Sequence, residues 1–190
     1  MKIRNSIIQT ALILALFVST KTHAESFFNN TIMGIAIINQ SVDIEVSGVG
    51  QSVTTSESGT GLGVYLDKYY KGKYRFNGTL SYIPYDRFDI AQLMVSADYL
   101  MPFNEQISFF AGLAAGSALQ KYSDAGVGDS ALGLVYGAQL GGIIYINKNI
   151  MLESGYRFRP ANIETQIEVT SQTSTINDMS ELYFSILLMF

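Results

Sequence analysis

The feature that most constrains this chain is a period of two. In the last segment Leu182, Phe184, Ile186, Leu188 and Phe190 share one parity, while Glu181, Tyr183 and Ser185 begin the other. Between positions 74 and 83, Tyr74, Phe76, Leu80 and Tyr82 oppose Arg75, Asn77, Thr79 and Ser81. Between 91 and 100, Ala91, Leu93, Val95, Ala97 and Tyr99 oppose Gln92, Met94, Ser96, Asp98 and Leu100. Successive side chains of a strand point to opposite faces, so such alternation selects strands with one apolar face. Segments 150–159 (Leu152, Tyr156 and Phe158 against Glu153, Arg157 and Arg159), 31–40, 60–69, 107–119 and 131–146 repeat the pattern with less contrast. The total is eight candidate strands, each roughly 10 to 14 residues, near the length a tilted transmembrane strand needs.

The two parities differ in kind. The apolar one is almost free of charge along the middle of each segment, and the other mixes Gly, Ala and Ser with charges of both signs. A soluble sandwich also alternates, but it buries its apolar face and has no call for small and ionic residues opposite. A narrow barrel whose outside meets lipid and whose inside is filled by side chains needs both. The connections agree. Tight turns at 70–73, 102–105 and 147–149 alternate with polar stretches at 41–59, 120–130 and 160–180 and a short one at 84–89. Short turns on the periplasmic side and longer loops outside are the asymmetry of outer-membrane barrels. The expected fold is an all-β, eight-stranded antiparallel up-and-down transmembrane β-barrel.

The N-terminus supplies the route. Lys2 and Arg4 precede an apolar stretch from 7 to 18 broken only by Gln9 and Thr10, and Thr22, His23 and Ala24 form a small-residue cleavage site. This is the three-part layout of a secretory signal. The apolar stretch falls short of the about 20 residues a spanning helix requires. Residues 1–24 are therefore expected to be a cleaved leader and 25–190 the barrel domain. Cleavage removes Lys2, Arg4 and Lys21, deepening the formal charge from −4 to −7, and removes His23, the single histidine. An acidic chain without a basic patch is not a nucleic-acid binder.

With no Cys in the sequence and no His after cleavage, Ser-His-Asp and Cys-His catalysis is excluded, as are imidazole or thiolate metal sites. No catalytic residue, cofactor or metal is expected. The acidic positions Asp43, Glu45, Asp86, Asp89, Asp124 and Asp129 read as solvated loop carboxylates, able at most to hold Ca²⁺ or Mg²⁺ loosely. Gly61, Gly63, Gly112, Gly116, Gly137, Gly141 and Gly142 fit no phosphate-loop spacing and read as close strand packing.

The candidate site is the set of charges on the inward parity: Asp67, Arg75, Asp98, Glu153, Arg157, Arg159 and Glu181. Arg75 is placed to bridge Asp67 and Asp98 on its two neighbouring strands, and Arg157 and Arg159 lie near Glu181. Buried charges need partners, so an ionic lattice filling the lumen is expected. A plug and a narrow gated pore use the same residues; eight strands enclose room for side chains only, which favours the plug.

The stretches ISFFAGLAAGSAL (107–119) and ALGLVYGAQLGGIIYINKNIMLESGYRFRP (131–160), with the terminal Phe190, resemble small eight-stranded outer-membrane barrels of the OmpA/OmpX and opacity-protein type. The resemblance implies a Gram-negative outer membrane, with lipid and lipopolysaccharide as surroundings. It implies that Leu182, Phe184, Ile186, Leu188 and Phe190 form the signal read by the barrel-assembly machinery. Loops 41–59 and 160–180, rich in Ser, Thr, Val and Ile, are expected to extend as β-hairpins beyond the membrane and to offer an exposed edge for strand addition by a partner; the resemblance implies that they serve an adhesin-like role toward an extracellular ligand. A passive pore is the alternative. A lipid-modifying barrel enzyme is less favoured, because by resemblance such enzymes work through a histidine.

Overall fold

The computed structural model describes residues 31–48, 51–122, 130–167 and 172–190; the leader expected at 1–24 lies outside them, as do Asp124 and Asp129. Eight strands follow one another: β1 (Thr31–Gly48), β2 (Gln51–Tyr70), β3 (Tyr74–Pro84), β4 (Phe88–Pro102), β5 (Ile107–Tyr122), β6 (Ser130–Tyr145), β7 (Ile150–Ile167) and β8 (Gln172–Met189). Each pairs antiparallel with its neighbour, and β8 pairs with β1, closing the barrel. Closure excludes the sandwich.

The register fixes the shape. Following paired residues from Thr31 through Lys68, Phe76, Ala97, Leu113, Ala138, Phe158 and Ser180 returns to β1 at Ser41, ten residues further along. Ten residues of stagger at about 3.3 Å each, spread over eight strands about 4.8 Å apart, tilt the strands by about 40°. Each residue then rises about 2.5 Å along the barrel axis, and an apolar band about 25 Å tall takes about ten residues.

The alternation read in the sequence becomes outside and inside. Leu93, Val95, Leu113, Leu140 and Phe184 are exposed on the outer wall, while Gln92, Ser96, Asp98, Gln139 and Ser185 face in and are buried. Aromatics crowd the tight-turn end of the outer wall: Tyr74 packs edge-on against Tyr99, and Phe103 against Phe109. Such girdles sit where membrane meets water. In the outer wall, Leu66, Phe76, Tyr136 and Phe158 border a shallow groove of about 970 Å³ over Gly78, Ala97, Ala115 and Ala138.

The tight turns are built locally. Lys71 and Gly72 both have positive φ, 53° and 64°, the pair of left-handed residues that matches strand twist in a hairpin. Asn104 Oδ1 accepts from the amides of Gln106 and Ile107 at 2.8 and 2.7 Å, and Asn147 Oδ1 from those of Asn149 and Ile150 at 2.8 and 2.9 Å. Two turns thus use the same asparagine device.

β1, β2, β7 and β8 are longer than the sequence suggests, at 18 to 20 residues, while β3 has 11. Residues 41–48, 51–59, 161–167 and 172–180 continue the ladders of β1, β2, β7 and β8 as the expected hairpins. Their Ser, Thr, Val and Ile content suits strands, and once the barrel wall sets their register nothing interrupts pairing except a shift between Asp43 and Ile44 and another between Pro160 and Ile163. A strand of 18 residues overshoots the apolar band by about eight residues, or about 20 Å. The result is a four-stranded sheet, β2-β1-β8-β7, standing above the shorter β3–β4 hairpin.

Candidate functional site

The inward parity of five strands, β2, β3, β4, β7 and β8, brings all seven predicted charges into the lumen, where each is no more than 4% exposed. They form two groups. In the lower one, near the tight turns, Arg75 Nε donates to Asp98 Oδ2 at 2.9 Å and Nη2 lies 2.8 Å from the same oxygen. Its Nη1 pairs with Glu153 across the lumen and stands 3.5 Å from Asp67 Oδ2. Asn77 donates to Asp67, and Tyr183 Oη donates to Glu153 Oε1 at 2.7 Å. The guanidinium also lies 4.5 Å over the Phe110 ring.

In the upper group Arg157 Nη1 is 2.7 Å from Glu181 Oε1, and Arg159 pairs with the other oxygen. Arg159 Nη1 donates to Gln92 Oε1 at 2.7 Å, Gln92 Nε2 to Gln40 Oε1 at 3.0 Å, and Gln40 Nε2 to Glu181 Oε2 at 3.2 Å. Gln139 joins the groups: its Nε2 donates to Asp98 Oδ1 and its Oε1 accepts from Arg157 Nε at 2.9 Å. Arg157 completes the column by lying 4.0 Å over the Tyr183 ring.

The two groups are unequal in charge. The lower sets one arginine against three carboxylates, and the upper sets two arginines against one. A neutral amide between them, donating toward the acid-rich side and accepting from the cation-rich side, orients its dipole with that gradient. Arg75 on β3 reaches both its strand neighbours and β7, so these contacts tie distant strands together through the interior.

Apolar layers cap the column, which the sequence reading did not foresee. Ile32, Leu100, Ile143, Met151 and Leu187, all near the tight-turn ends of their strands, pack into one cluster. Val42, Ile44, Phe88, Ile163 and Ile176 pack into another at the opposite end. All but Ile176, which the register shift beside Asn177 turns inward, lie on the charged parity, so the interior is an ionic middle between two oily ends rather than a purely small-and-ionic space. The visible signal was Ile, Leu and Met at both ends of the inward parity. Gln40, Gln92 and Gln139 were legible in the same way, as amides in step with the charges.

The inward glycines are sockets for the large plug residues. A Cβ on Gly112 would run into the Asp98 carboxylate; one on Gly137 would sit 2.8 Å from Arg159 Cγ; one on Gly155 would sit 2.7 Å from Tyr183 Cζ. Gly142 differs, with Phe109 no nearer than 3.7 Å. Among the described residues no group of three or more Asp, Glu or His converges to hold a metal ion.

The strand bearing the expected assembly signal runs along the outer wall: Leu182, Phe184, Ile186, Leu188 and Phe190 are exposed at 44–64%. Above the barrel, the projecting sheet turns Asn39, Ser41, Asp43 and Glu45 of β1 outward beside Thr60, Ser58, Ser56 and Thr54 of β2. Ser56 Oγ donates to Asp43 and Ser52 Oγ to Glu45, while Asn177 Nδ2 reaches Glu45 Oε2 at 3.3 Å. These hydrogen bonds hold the Glu45 carboxyl below its ordinary range.

No family model and no curated protein matches the chain. Solved structures do. Neisserial surface protein A is similar over 82% of this chain and 97% of its own, with a TM-score of 0.59 at 13% identity. The outer membrane protein AlkL, determined in lipid bilayers, is similar over 91% and 97%, with a TM-score of 0.55 at 16% identity. The outer membrane protein OprG from Pseudomonas aeruginosa is similar over 85% and 97%, with a TM-score of 0.50 at 14% identity. The chain has the fold of small eight-stranded outer-membrane barrels.

Proposed function

We propose that this chain is an outer-membrane anchor whose lumen is shut and whose working part is the projecting sheet. The single observation that carries the reading is the lumen itself: paired charges, stacked with Tyr65 and Tyr183, occupy its middle and apolar clusters occupy both ends. A wall so filled supports no bulk flow, which leaves presentation at the surface as the use of the roughly 20 Å that β1, β2, β7 and β8 carry beyond the apolar band. The outer membrane, delivery through a cleaved leader and assembly through the Phe190 strand belong to the same proposal. A narrow path for small ions is the second reading; the unbroken polar column from Asp67 to Gln40 favours it.

Planar-bilayer recording tests the reading. The folded protein is expected to be electrically silent, with heat-modifiable gel mobility. Discrete conductance steps that change on Arg157→Ala would establish the pore instead. Orientation is tested separately: because the chain contains no Cys, Ser56→Cys should label with an impermeant maleimide on intact cells and Lys148→Cys should not. The reverse pattern would place the sheet in the periplasm.

A further inference from the structure

The projecting sheet has two free edges, and they are not alike. β2 pairs with β1 along its whole length, but with β3 only from Leu62↔Tyr82 inward. Gly59 and Gly61 are covered by Ile83 and the carbonyls of Tyr82 and Pro84. From 51 to 58, no strand among the described residues pairs with the second edge of β2. Natural sheets protect such edges with proline, lysine or a bulge. The β7 edge has this protection: Pro160 lies where pairing with β6 is interrupted, beside the register shift. Residues 51–58 contain no proline and no lysine.

The face beside the open edge is acidic. Outward from β2 stand Ser52, Thr54, Ser56 and Ser58; one strand further in stand Asp43 and Glu45; Asp178 lies directly across from Asp43 on β8. The sequence has no Lys or Arg from 22 to 67 or beyond Arg159. The exposed Arg87 of the β3–β4 turn is engaged with Glu57. The hydroxyl row is short, and two strand spacings are about 10 Å. A lysine or arginine on an added strand therefore extends over the serines to the carboxylates.

We infer that the open edge of β2 takes an extended, lysine- or arginine-bearing segment of a partner protein as an added strand. This deepens the surface role proposed above and rests on it. Main-chain hydrogen bonds to residues 51–58 supply the pairing, and Asp43 and Glu45 select the charge. A second copy of this chain is a poor occupant, because edge-to-edge pairing brings two cation-free acidic faces together.

The test uses the full barrel in zwitterionic micelles and three synthetic peptides of about eight residues, the span of the open edge. One alternates Thr with Lys, one alternates Thr with Glu, and the third is the Thr-Lys peptide with alternate amides N-methylated. Fluorescence anisotropy should show saturable binding of the first alone, weakening as salt rises. Asp43→Asn with Glu45→Gln should weaken it about fivefold, the size expected for two exposed charge contacts, with heat-modifiable mobility intact. Equal binding of the N-methylated peptide would reduce the effect to charge alone and overturn strand addition. Equal binding of the Thr-Glu peptide, no response to the double substitution, no saturable binding, or a β2-to-β2 dimer in cross-linking would each overturn the partner class. The underlying reading fails separately, by conducting in planar bilayers.

Discussion

Replacing Arg75 with Met isolates what the lower charge group does for the barrel. The side chain is 1% exposed and, among the described residues, is the cation paired with Asp67, Asp98 and Glu153, themselves 1–3% exposed. Methionine keeps most of the length and apolar contact with Phe110 but leaves three buried carboxylates facing one another. Removing one partner of a buried pair costs about 3–5 kcal/mol, because the remaining charge is stranded. The lost cation–π contact adds about 0.5–2 kcal/mol. A loss of about 4 kcal/mol is expected, a large share of the roughly 5–15 kcal/mol that holds a typical domain folded.

Glu153→Gln should behave oppositely. It removes one of the surplus negative charges, and the amide oxygen still accepts from Tyr183 and Arg75, so the cost should stay under about 1.5 kcal/mol. Joining Arg75→Met to Asp67→Asn, Asp98→Asn and Glu153→Gln neutralises the group and should recover at least half of the loss. The assay is urea unfolding in phospholipid vesicles, followed by tyrosine fluorescence and by the heat-modifiable gel shift. If Arg75→Met stays within about 1 kcal/mol of the parent while Glu153→Gln costs as much, the lattice is not a structural plug and the reasoning fails.

Other outcomes follow from the same geometry. Gly112→Ala pushes a methyl into the Asp98 carboxylate and should cost about 1–3 kcal/mol, whereas Gly142→Ala, with only ordinary contacts, should fall within about 1 kcal/mol of the parent; a reversal in urea unfolding would misplace the two faces of the wall. Leu113→Arg puts a charge on a residue 71% exposed at mid-wall and should cost about 2–4 kcal/mol in lipid; no loss there would deny that this face meets hydrocarbon. Hydrogen exchange should find about half the amides of 51–58 unprotected, since each edge residue bonds on one side only, while 62–68, paired on both sides, should resist; uniform protection would mean the edge is covered. Glu45, held below its ordinary pKa by Ser52 and Asn177, supports the β1–β2 hairpin when ionised and loses that support as pH falls through its lowered pKa; Ser52→Ala should raise the NMR titration midpoint, and an unmoved midpoint would remove the contact.

Some of this architecture was written in the chain. Alternation in 74–83, 91–100 and 181–190 set strand type and face, because a pleated strand offers no other way to separate Phe184 from Ser185. The partnership of Arg75 with Asp67 and Asp98 was legible because it crosses adjacent strands, and the tight turn at 70–73 with the short connection at 84–89 fixes that register. Arg75 with Glu153 was not legible. Those residues sit on β3 and β7, and they meet only because closure brings opposite walls within a side chain's reach.

Strand pattern and the placing of the tight turns were thus settled by local order in the sequence, since alternation and composition need no knowledge of distant neighbours. The ten-residue stagger, the oily layers above and below the charges, and the joining of the two extended hairpins into one standing sheet through β1 and β8 belong to the tertiary structure alone. Each depends on which residues meet across the ring. A period of two says which way a side chain points, and the closed register decides what stands opposite it.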